Sequence, residues 1–130
     1  MKANELMLGD WVAYRKDFPD RVNAIAIGGH AVSLEHDSWQ QMSSIQPIPL
    51  TPEILKKNGF DFLYSSVPGG TPQEQRMRKV DTYEWRGIAV NYYHETNDFQ
   101  IVNFRGVRIN YVHQFQHALR LCGIEKEIVL

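Results

Sequence analysis

The 130-residue chain carries 14 Lys and Arg against 15 Asp and Glu, a formal charge of -1, with 43% hydrophobic and 12% aromatic residues. That balance excludes a protein that coats DNA or membrane by bulk charge, and the apolar content excludes a mostly disordered chain. A single cysteine, Cys122, removes internal disulfides and cysteine-rich metal centres.

Lys2 is followed by no apolar h-region, and no apolar run approaches the ~20 residues that cross a bilayer. The expectation is a cytoplasmic α+β protein with no membrane attachment and no cofactor. Gly9-Asp10 reads as a turn before a β-prone run, Trp11 to Tyr14, and Asp17 to Asp20 as a loop. Val22 to Ile27 and Ala31 to Leu34 form a hairpin around Gly28-Gly29, where positive φ costs glycine nothing. His36-Asp37-Ser38 is a turn, and Gln41 to Ile48 a further extended piece. So many short strands in fifty residues predict a strongly bent sheet or a small SH3-like barrel.

Pro47 and Pro49 stop that sheet. Thr51-Pro52 opens a short linking helix and Asn58-Gly59 closes it, with Glu53 near its start and Lys56-Lys57 near its end. Phe60 to Tyr64 is extended again, and Ser65 to Lys79 reads as a long polar loop. Thr82 to Arg86, Ile88 to His94 and Phe99 to Phe104 have strand character. A helix over 111–121, capped by Asn110, is expected to pack the resulting antiparallel sheet. Its apolar positions are Val112, Phe115, Leu119 and Cys122, and its polar stripe is His113, Gln116, His117 and Arg120. Glu125 to Leu130 could add an edge strand. The expected units are residues 1–50 and 51–130, or one domain sharing a core.

No phosphate loop, dinucleotide turn, nucleophile elbow or His-Glu-x-x-His is present. His113 and His117 stand four apart on one helix, so both imidazoles could reach one metal ion; a solvated helix face is the alternative. The neighbours His36, Asp37 and Ser38 cannot align as nucleophile, base and orienter. Charge is segregated: residues 1–75 hold 6 basic and 9 acidic side chains, and residues 76–120 hold 7 and 4. Arg76, Arg78, Lys79, Arg105 and Arg108, interleaved with Tyr83, Trp85, Tyr92, Tyr93, Phe99 and Phe104, form a candidate nucleic-acid surface of phosphate contacts and stacking rings. Trp11, Tyr14, Trp39 and Pro47 to Leu50 could line a docking surface for an unknown protein partner, or serve as core.

Three segments carry a resemblance. Lys2-Ala3-Asn4-Glu5-Leu6 followed by Leu8-Gly9-Asp10-Trp11-Val12 is one. Ile45 to Leu55, closing on Asn58-Gly59-Phe60, is the second, and Tyr111-Val112-His113-Gln114-Phe115-Gln116 the third. Together they resemble a family of small proteins of Bacteroides-type genomes, often encoded near phage or mobile-element genes. The family has no activity to carry over, so the resemblance implies origin and architecture. His113 falls inside the third motif and stays a candidate, and its neighbours Tyr111 and Gln114 become candidates through the motif alone. The expected function is a non-catalytic interaction or accessory protein. Nucleic-acid binding by the basic, aromatic-rich 76–111 region is the alternative, and a metal-dependent or other enzyme the third.

Overall fold

A computed structural model describes every residue except Lys16, Asp17, Asn103 and Arg105. The chain is α+β and divides into two compact units: Met1–Pro49 with Tyr111–Glu125, and Leu50–Asn110 with Lys126–Leu130. No helix among the described residues is long and apolar enough to cross a membrane.

The first unit is an antiparallel five-stranded sheet: β1 (Trp11–Tyr14), β2 (Phe18–Ile25), β3 (Ala31–Leu34), β4 (Trp39–Gln41) and β5 (Ile45–Pro47). Its order is β4-β3-β2-β1-β5, so β4 and β5 are its two edges and the expected barrel does not close. Gly28 and Gly29 take positive φ in the β2–β3 turn, as the hairpin requires. The expected loop at 17–20 differs over its described residues: Phe18 to Asp20 extend β2 and pair with Tyr14 to Val12, while Asp17 lies outside the described residues. Alternation buries Val12, Val22, Val32, Leu34 and Ile45, with Leu6 and Met42, in one cluster.

The helix Val112–Leu121 belongs to this unit rather than to the C-terminal sheet. Pro49 bridges Tyr111, and the Val112 N–H donates to the Ile48 carbonyl at 2.8 Å, which returns the chain to the first sheet. The N-cap is Tyr111, not Asn110, and its N–H donates to Gln114 Oε1. Val112, Phe115, Ala118 and Leu119 are buried, as are His113 and Gln116 from the supposedly solvated stripe.

In the second unit, α1 (Pro52–Lys57) has the expected ends: Thr51 Oγ1 accepts the Ile54 N–H, and Gly59 follows with positive φ. The segment expected as loop contains a second short helix, α2 (Pro72–Met77), capped by Thr71, while Val112–Leu121 is α3. The sheet runs β6 (Asp61–Ser66), β7 (Val80–Trp85), β8 (Ile88–Tyr93), β9 (Asp98–Ile101) in that order, all antiparallel. Arg86-Gly87, both at positive φ, make the two-residue turn between β7 and β8.

Register places Tyr83, Val90 and Ile101 in one row across the sheet, and Asp81, Tyr92 and Phe99 in another on the same face. Tyr83, Val90, Ile101 and Phe99 are buried there, whereas the opposite face carries Thr82, Asn91 and Gln100. Beyond β9, Phe99 and Ile109 exchange two backbone hydrogen bonds of 2.8 Å, closing that edge. The expected terminal strand is absent; Asn58 clasps the tail instead, its side chain bonding both N–H and C=O of Val129 at 2.8 Å. Leu50 N–H donates to the Asn110 carbonyl at 2.9 Å, so this unit's main segment begins and ends side by side.

Candidate functional site

The most concentrated polar chemistry lies where α3 meets the turn before β1. Asp10 is fully buried. Its Oδ2 accepts the Met7 N–H at 2.7 Å and lies 2.6 Å from His117 Nε2, while Arg120 Nη1 stands 3.6 Å from Oδ1. Gln116 grips both sides of Asp10: its Oε1 accepts the Trp11 N–H at 2.9 Å, and its Nε2 donates to the Gly9 carbonyl at 3.1 Å. Gly9 has φ +86°, and Arg120 Nη2, bonded to the Leu8 carbonyl, would meet any Cβ there at 3.4 Å. That distance is ordinary contact with the end of a flexible side chain, so this turn favours glycine by its positive φ rather than for space.

His113 stacks on Tyr111, with ring centroids 5.9 Å apart, and meets His117 edge-on at 5.8 Å. It is buried, and its Nδ1 has no hydrogen-bond partner. Burial pushes its pKa below the ordinary histidine value; nearby His117 adds to this, while Asp10 and Glu5 oppose it. In the unfolded chain His113 takes up its proton near pH ~6.5, before the folded form does. The stability it contributes is present above that pH and is lost as pH falls through the lower folded value. Urea midpoints should therefore decline between pH 7 and 5, and His113→Gln should flatten that decline. An unchanged slope in the variant would remove this account.

The expected metal pair, His113 and His117, has one of its ring nitrogens already engaged. His117 Nε2 is held by Asp10, and no third ligand joins them among the described residues. Among the described residues, the one set of three ligand types whose atoms approach within 4.8 Å is Asp20, Glu35 and His36. These are already engaged: His36 Nδ1 lies 3.0 Å from Asp20 Oδ1, and Arg21 Nε donates to Glu35 Oε2 at 2.8 Å. Burial would raise the Asp20 carboxyl, but hydrogen bonds from the His36 ring and the Arg21 and His36 N–H groups hold it below its usual value. Asp20 and His36 line a cleft of about 320 Å³ with Tyr14, Arg15, Phe18, Pro19 and Asp37. His36 thus pairs with Asp20, sixteen residues away, and not with its neighbour Asp37.

In the second unit, Ser65 Oγ donates to Asp81 Oδ1 at 2.5 Å, and His94 Nε2 lies 2.7 Å from Asp81 Oδ2. The residue types match a hydrolytic triad but the order does not. The carboxylate sits in the middle, so the imidazole cannot take the serine proton.

Arg78, Lys79 and Arg108 line one cleft of about 120 Å³, but Glu95 and Asp98 share it, and Arg108 Nη1 donates to Asp98 at 2.9 Å. Arg76 lies on α2 with its Nε 3.4 Å from the Pro72 carbonyl, and Arg105 falls outside the described residues. The stacking platform is also reduced, because Tyr83 and Phe99 are core.

Compared with protein families, curated proteins and solved structures, the chain matches none. Function must come from the geometry. The three motif segments make one structural junction in the first unit. Gly9, Asp10 and Trp11 meet Gln116 and His117, and Ile48 and Pro49 meet Val112 and Tyr111.

A feature that sequence reasoning missed lies on β6. Phe62, Leu63 and Tyr64 are 50%, 49% and 55% exposed, and Val67 just beyond is 52% exposed. β6 is the sheet's outer strand, and Leu63 is the extra residue of a bulge, since Phe62 pairs Tyr83 and Tyr64 pairs Thr82. The bulge sends Phe62 and Tyr64 to opposite faces. Three successive apolar residues in a strand are a sequence signal, but burial in the core explains such a run equally well.

Of the residues expected to line a docking surface, Trp39 is 54% exposed, Trp11 and Tyr14 are half-buried, and Leu50, which belongs to the second unit, is core.

Proposed function

We propose that this chain is a non-catalytic interaction protein that docks through the β6 edge. The supporting observation is the exposed run Phe62-Leu63-Tyr64 on an outer strand. An outer strand offers unpaired N–H and C=O groups to another chain, and natural edges are usually guarded by Lys, Pro or very short length. β6 has six residues and neither Lys nor Pro. The first sheet's edges are guarded: β4 and β5 have three residues each, and β5 ends on Pro47.

The polar clusters support the same reading from the other side. Asp10, Asp20 and Asp81 each bind a histidine and backbone or hydroxyl donors, an arrangement that fixes structure and leaves no activated nucleophile. The motif segments support the same reading, through their resemblance to accessory proteins carried with phage and mobile-element genes.

A photo-crosslinking phenylalanine analogue at Tyr64, introduced in the protein's own host, tests the docking site. It should give a discrete adduct that disappears with Phe62→Lys. The same analogue at Leu121, 79% exposed, should give none. Absence of any adduct at Tyr64 would remove the docking reading.

A further inference from the structure

We infer that the occupant of the β6 edge is a second copy of this chain, its β6 antiparallel to the first, joining two four-stranded sheets into one of eight strands. This rests on the docking reading above and names its partner.

Charge selects the direction. Asp61 is the strand's sole charged residue and stands at its first position; Ser65 and the exposed Ser66 stand at its end. Antiparallel pairing about a two-fold axis separates the two Asp61 carboxylates by roughly 17 Å, five residues at ~3.4 Å each. Each then faces the serine end of the other copy. Parallel pairing in register would set the two carboxylates side by side, which like charges disfavour.

Closure follows from the other edge. Because Ile109 already pairs with Phe99 outside β9, the far edge of the eight-stranded sheet is covered at that position in each copy, among the described residues. A two-fold interface consumes β6 in both chains and stops at two. This accounts for an apolar edge that has one bulge but no Lys or Pro, without fibre growth.

Size sets the strength. Phe62, Leu63, Tyr64 and Val67, each half exposed, present on the order of 100 Å² apiece, or about 800 Å² over two copies. That is below the ~1,200 Å² of stable interfaces, so the dimer is a weak, transient one.

Sedimentation velocity on the whole chain from about 5 to about 500 µM tests it. The expected result is a shift from monomer to dimer across that range, abolished by Leu63→Lys. Phe62→Lys should do the same, but it also removes the edge-to-face contact with Tyr83, 5.8 Å between centroids, so Leu63→Lys keeps the test independent of folding. Ser66→Lys, brought opposite Asp61, should tighten the dimer roughly three- to tenfold, and Ser66→Asp should weaken it by a similar factor.

A monomer at every concentration overturns self-pairing. So does a dimer indifferent to Leu63→Lys, an assembly larger than two, or equal responses to the two Ser66 variants. A monomer that still yields a Tyr64 adduct with a different protein overturns self-pairing alone and leaves docking intact. No adduct and no dimer remove both.

Discussion

Asp10→Ala is expected to destabilise the first unit by about 3 kcal/mol, read as a lowered urea midpoint with the slope unchanged. The carboxylate is wholly buried, and its loss leaves the Met7 N–H and the His117 ring without their acceptor and Arg120 without its nearest negative charge. Breaking a buried pair by removing one member costs ~3–5 kcal/mol, because the survivor stays desolvated and uncompensated. The lower end applies, since the His117 and Arg120 side chains are 25% and 38% exposed and recover some solvation. Asp10→Asn keeps an acceptor for Met7 and should lose less than Asp10→Ala. A change below about 1 kcal/mol for the alanine variant would show that the carboxylate does not hold α3 to the turn.

Phe99→Ala should cost the second unit about 3–5 kcal/mol, the range for emptying a large aromatic from a packed interior. Phe99 has no solvent exposure and stands in the core row beside Tyr92, with ring centroids 4.7 Å apart. Its backbone holds Ile109, itself buried, so collapse around the cavity is restrained from two directions. Phe99→Leu, which keeps most of the volume, should lose well under half as much. Equal losses for the two substitutions would mean that packing around this ring does not limit stability.

Local rules reached what local chemistry determines. Thr51, Pro52 and Gly59 specify α1 at both ends because capping involves residues within one turn of each other. The same punctuation, Thr71-Pro72 with Glu74, opens α2. It was obscured by Pro68, Gly69 and Gly70 ahead of it and by a helix that buries no residue, which leaves no apolar period to detect.

The sites were less legible, for a physical reason. Asp10 meets His117 across 107 residues and Asp20 meets His36 across sixteen, and a side-chain pair of that separation leaves no local pattern. The α3 stripe His113, Gln116, His117 and Arg120 is polar by composition, so periodicity alone assigns it to water. It is drawn in because the backbone of Gly9 and Trp11 and the carboxylate of Asp10 supply its partners. The β6 edge escaped notice because strand sequences do not declare whether a neighbour strand is present.

The first unit is discontinuous, interrupted between Pro49 and Tyr111. On the ribosome its sheet emerges long before α3, so Asp10 must wait for His117 until nearly the whole chain has been made. Closing an unstructured loop of that length would cost about 3.6 kcal/mol in chain entropy. The hydrogen bond between Leu50 and Asn110 changes this. Once residues 50–110 have folded, the two ends of the insertion are already adjacent, and α3 is delivered beside the strand that the chain left at Pro49. The order of synthesis thereby becomes an order of assembly, in which residues 50–110 bring together the two segments of the discontinuous first unit.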